Sequence, residues 1–105
     1  MIAGPAANPI RGEAEMVIGG VPHLLRPTFA ALVAAEAELG SLFALVDRAS
    51  DGALRLDEMA ALFWHCLADR DEVAREAVGQ AVVAQGLAAC ARPLAMLLRQ
   101  ILQGA

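Results

Sequence analysis

The chain has 105 residues, of which 58% are hydrophobic and 19% charged, with a mean hydropathy of +0.53. That composition excludes a disordered chain and suits one domain with a modest core, too small to hold a deep substrate cleft as well. The net charge is −4 and the eight cations are scattered arginines, so the basic stripe that a nucleic-acid binder needs is missing.

No run of about 18 apolar residues free of charge occurs, so no membrane span is expected. The first residues lack the basic and apolar regions of a secretory leader, so no secretory signal is expected. Residues 1–10 contain Gly4, Pro5, Asn8 and Pro9 and read as a flexible tail. The remainder, 11–105, reads as a single domain.

A β-hairpin is predicted over 13–26. Two short apolar-leaning runs flank Gly19-Gly20, and paired glycines supply the positive φ angles of a primed two-residue turn. In that register Ala14 faces Leu25, Met16 faces His23 and Ile18 faces Val21, and Glu13 lies opposite Arg26 as a cross-strand ion pair. Pro22 makes the second strand irregular or an edge. A lone hairpin is marginal in water, so its Ala14/Met16/Ile18 face must pack on helices or on another chain.

Five helical segments follow, giving an α+β fold that is predominantly helical. The first runs over about 28–39, with Thr28 as N-cap and Gly40 as stop. Glu36 shares a face with Leu32 and Val33, where it is either solvated or half-buried and paired with Arg26. Ser41 caps a helix over 42–49, and Asp51-Gly52 makes a turn. A third helix spans about 56–68 with an apolar stripe of Leu56, Met59, Phe63 and Leu67. Asp71 caps a fourth over 72–85, and a fifth covers 87–103, where Pro93 either kinks the helix or restarts it. Cys66 and Cys90 lie in apolar helical stretches and read as buried, reduced thiols.

The segment 47–58, DRASDGALRLDE, is the one candidate metal site. Set on the twelve-position calcium loop, it places Asp47 first, Asp51 fifth, Gly52 sixth and Glu58 at the bidentate twelfth position. The third position is Ala49, which offers no side-chain oxygen. The competing reading is a helix–turn–helix join in which Asp57 and Glu58 favour a helix N-terminus. Trp64-His65-Cys66 has no metal-ligand spacing, and it reads as a core cysteine beside a partly exposed Trp and His. No catalytic residue and no cofactor are expected, and an enzyme reading ranks last.

The order of these features resembles a known family. The runs RGEAEMVIGGVPHLLRPTFAAL (11–32), AEAELG (35–40) and LFALVDRASDGALRLDEMAALFWHCL (42–67) are similar to the gene-transfer-agent tail proteins. That small phage-type family is catalogued as a tail tube protein and treated as a tail assembly chaperone. The resemblance is carried by residues 11–68 and departs from the usual pattern at Pro22 and in the charged connector 69–72. It implies a non-enzymatic role in building a phage-like tail. A tail assembly chaperone keeps an aggregation-prone tape-measure protein soluble while tube subunits polymerise around it. Tube subunits, by contrast, are built on β-sheets that join into a continuous barrel, and one hairpin is too little sheet for that. The expected partners are therefore the tape-measure protein, the tail tube protein or both, with a homo-oligomer allowed and neither nucleic acid nor membrane involved. The alternatives are a structural minor tail or tube component and, from another class, an EF-hand-like calcium module. Phe63, Trp64 and Leu67, with Met16 and Ile18 on the hairpin, are the expected contact residues, because aromatics dominate interface hot spots.

Overall fold

The structure is a computed structural model, and it describes residues 14–103. The predicted tail (1–10) and the Glu13 side of the predicted ion pair lie outside the described residues.

Strands β1 (Ala14–Ile18) and β2 (Val21–Leu25) pair antiparallel in the predicted register, Ala14 with Leu25, Met16 with His23 and Ile18 with Val21. Gly19 and Gly20 have φ angles of +59° and +81°, so both turn residues occupy the left-handed region that this tight connection requires. β1 alternates strictly, with Ala14, Met16 and Ile18 buried and Glu15 and Val17 exposed.

Pro22 fits because of this alternation. The ladder amides of β2 belong to residues 21, 23 and 25, whereas those of 22, 24 and 26 point to the other edge. That second edge is occupied. Arg26 N–H donates to the Cys66 carbonyl (2.6 Å) and Ala68 N–H to the Leu24 carbonyl (3.0 Å), so that Leu25 bridges Leu67.

Helix α1 (Phe29–Leu39) starts as predicted, with the Thr28 hydroxyl accepting from Ala31 N–H at 3.1 Å, and stops at Gly40. Ser41 caps α2 (Leu42–Ser50) through Ala44 N–H at 3.3 Å. Glu36 reaches over from α1 to accept from Leu42 N–H at 3.1 Å. It is exposed, the solvated one of its two expected positions, and serves as a second cap for α2. At the start of α3 (Leu56–Cys66) the Glu58 carboxylate accepts from Arg55 N–H at 3.0 Å.

Two predicted boundaries need correction. α3 ends at Cys66 rather than at 68, because Leu67 turns extended to pair with β2 and tertiary strand pairing replaces the last helical turn. The fourth helix, α4 (Arg75–Gln85), begins three residues later than expected, and Asp71 is not its cap. Arg70–Glu72 form a 3-10 turn instead. Val73 is held extended behind it, its carbonyl accepting from Trp64 Nε1–H at 2.9 Å. The fifth helix, α5 (Leu87–Gln103), runs through Pro93 without restarting. The Ala89 carbonyl that loses its donor belongs to an exposed residue, so it is not stranded in the core.

α3 is the centre of the molecule. Seven of its residues are buried, so it packs on α1 on one side and α4 on the other. Phe63, Leu62, Leu25, Leu45, Val78, Val82 and Leu97 are fully enclosed, and the inner face of the hairpin closes the core against α4 and α5. α1 meets this core through Ala31 and Ala35, small residues that allow close approach.

Candidate functional site

Four of the five expected contact residues lie in the core. Phe63 is 0% exposed, and Leu67, Met16 and Ile18 are buried with it. They hold the hairpin and α3 together, and none of the four is the exposed residue that was expected. Past the exposed Leu56 the apolar stripe of α3 faces inward, so its aromatic residue packs the core instead of a docking face. Trp64 is half-buried and already engaged. Its ring lies under Arg75, whose guanidinium is 4.6 Å from the ring centroid, and near Arg70 at 5.8 Å.

The large exposed apolar residues are others. Phe29 is 85% exposed and Phe43 78%, each near the start of its helix, and Val33 lies one turn after Phe29. The signal was present in the sequence. Phe29 directly follows the capping Thr28, and the alanines Ala31 and Ala35 offered α1 a second face for packing.

A polar clamp joins α1, α3 and α4. The Glu38 carboxylate accepts from His65 Nε2–H at 2.8 Å and from Arg75 Nη1–H at 2.5 Å. The Arg75 hydrogen bond, followed by the one from His65, holds the Glu38 carboxyl below its ordinary value of 4.5. His65 is buried, which corrects its expected partial exposure, and its Nδ1 has no partner among the described residues.

The clamp is structural in character. Cys66 is buried and its thiol is pushed up to about 12 by desolvation, so no thiolate nucleophile stands beside His65. His23, the other histidine, bonds Asp69 at 2.8 Å through Nδ1 and makes no hydrogen bond to a cysteine among the described residues.

The calcium-loop candidates are not gathered into a site. Asp47 lies within α2, where its carbonyl accepts from Asp51 N–H. Glu58 is committed to Arg55 N–H and to Arg48 Nη2–H, the latter at 2.6 Å. Among the described residues no group of three or more His, Cys, Asp or Glu is placed to hold a metal ion. The helix–turn–helix reading of this segment accounts for its geometry.

Open grooves mark the surface. One, of about 830 Å³, lies between α3 and α4, with Leu56, Ala60, Gly79 and Val83 inside and Arg55, Asp57, Arg75 and Glu76 around it. A second, of about 570 Å³, separates α2 from α5 and is lined chiefly by Val46, Leu94, Leu98 and Leu102. Both are shallow and apolar, and neither presents a convergent set of catalytic groups.

Residues 11–104 match the family described as "Phage tail tube protein, GTA-gp10". The chain belongs to this family. No characterised protein and no solved structure matches it.

For a protein of the GTA-gp10 family, the hairpin edges are the feature to weigh. The hairpin is the only sheet among the described residues. The outer edge of β2 is taken by residues 66–68 and interrupted by Pro22. On β1, the Val17 carbonyl accepts from the Gln85 side chain. Among the described residues no single helix is long and apolar enough to cross a membrane. α1 and α2 pass on composition only as a pair, and that pair is bent by 76°.

Proposed function

We propose that this GTA-gp10 family protein is a tail assembly chaperone. It binds the tape-measure protein, the tail tube protein or both, and it leaves before the tail is complete. It works in the host cytoplasm and performs no catalysis.

The observation that carries this reading is the state of the hairpin. A tube wall formed by sheet-to-sheet pairing needs two open edges in each subunit. Here each strand has only five residues, one outer edge is filled from within the chain, and the other is capped at Val17 by a side chain. The exposed Phe29 and Phe43 support the reading from another side. Both phenylalanines stand in water on a small domain, and a partner that covers them would gain by their burial.

Co-expression with the tape-measure protein tests the proposal. A several-fold gain in soluble tape-measure protein, and its co-purification with this chain, are the expected results. An unchanged soluble fraction, with co-purification of neither the tape-measure protein nor the tail tube protein, would sink the proposal.

A further inference from the structure

We propose that the groove between α2 and α5 seats an amphipathic helix of the partner, one whose apolar ridge is flanked by acidic side chains. This rests on the reading that the chain holds a partner protein, and it assigns the seat and its chemistry.

The shape comes first. The groove of about 570 Å³ adjoins a smaller one of about 210 Å³ where α1 meets α2 and α5, and the two share Val46 and Leu102. Together they form one trough. Along α5 its lining extends from Ala91 to Gln103, which at 1.5 Å per residue is about 18 Å, or three turns of a docked helix. The floor is aliphatic, and Phe43 stands exposed at one end. A ridge of residues spaced three and four apart is the shape that fills such a channel.

Charge selects the occupant. The chain has a net charge of −4, yet the 17 residues of α5 include Arg92 and Arg99 and no acid. The two arginines are seven apart and so lie on the same side of the helix. Arg99 lines the trough, and its Nε reaches the Gln103 side chain at 3.4 Å. Neither arginine has a carboxylate partner among the described residues. Glu36 is the acid at the far end, and its carboxylate is engaged by Leu42 N–H. Unpaired cations beside an apolar channel favour acidic flanks on whatever lies in it. A second copy of the chain would bring its own cationic α5 to a symmetric contact, where like charges oppose each other. A lipid surface is flat and pairs with a convex apolar face, whereas this face is concave.

The test uses the full chain and two labelled, stapled helical peptides of about 16 residues, long enough to cover three turns. Both carry the same leucine ridge, one with glutamate flanks and the other with lysine flanks. By fluorescence anisotropy the glutamate peptide binds, and the lysine peptide binds about tenfold more weakly. The exposed double variant Arg92→Glu/Arg99→Glu reverses that order. Ala95→Trp fills the trough without changing charge and abolishes binding, while Val83→Ser in the other groove leaves it intact. Equal binding of the two peptides, no binding of either, or binding unaffected by the trough variants would overturn the proposal. So would capture by phosphatidylserine vesicles without peptide binding, or a dimer of the chain that shuts the peptide out. Tape-measure co-purification retained by the double variant would remove the trough and leave the chaperone reading standing. Peptide binding without any co-purification by the wild type would do the reverse.

Discussion

Replacing Glu38 with alanine should destabilise the fold far more than its exposed position suggests. The carboxylate is 38% exposed, but the histidine it serves is buried. Alanine leaves His65 Nε2 without an acceptor, in a ring whose Nδ1 already has no partner among the described residues. Stranding one buried polar group costs about 1–3 kcal/mol. The Arg75 pair adds about 0.2–1 kcal/mol, because both of its partners are substantially exposed and solvent screens them. The sum is about 2 kcal/mol, a fall in Tm of about 10 °C for a domain of this size.

Glutamine at position 38 separates the two contributions. Its carbonyl still accepts from His65, so Glu38→Gln should cost less than about 1 kcal/mol. The pH dependence follows from the depressed Glu38 carboxyl. Its contribution is fully present above the ordinary value of 4.5 and is lost as pH falls through the lower folded value. Urea unfolding of wild type, Glu38→Ala and Glu38→Gln at pH 7 and between pH 5 and 3 reads all of this. Equal losses in the two variants, or an alanine effect below about 0.5 kcal/mol, would refute the reasoning about His65.

Further predictions concern the core, the thiols and the turn. Phe63→Ala should cost about 3–5 kcal/mol and leave the chain near its unfolding threshold, whereas Phe29→Ser and Phe43→Ser should stay within about 0.5 kcal/mol. Thermal denaturation of the three variants compares them directly. Cys66, with its thiol pushed up to about 12, and Cys90, also raised by burial, should resist a thiol reagent at pH 8 in the native protein and react promptly in urea. Calorimetric titration with millimolar calcium should be silent, since Glu58 is committed to Arg48 and Arg55; a saturable heat would restore the calcium-loop reading.

Local rules carried much of the fold. Gly19-Gly20, Thr28, Gly40 and Ser41 act within a few residues of themselves, so the hairpin register and the limits of α1 were readable from the chain. What failed depended on distant partners. Trp64 reaches over to Val73 and delays α4, and Leu25 draws Leu67 out of α3. Four of the expected contact residues are buried for a related reason. A hydrophobic stripe shows that a helix has a face, but not which neighbour covers it. On α1 the bulky Phe29 and Val33 point outward while the alanines Ala31 and Ala35 meet the core, against the order that hydropathy suggests. The groove along α5 needed three helices to exist, so no single segment announced it.

The chaperone and tube readings part most sharply in the finished particle. Quantitative mass spectrometry of purified tails, set against a pull-down from cells still assembling them, measures where the chain resides. A chaperone is bound to tape-measure or tube protein during assembly and absent from completed tails, and that is the expected result for this chain. Its presence in finished tails at the copy number of the tube wall would contradict that account.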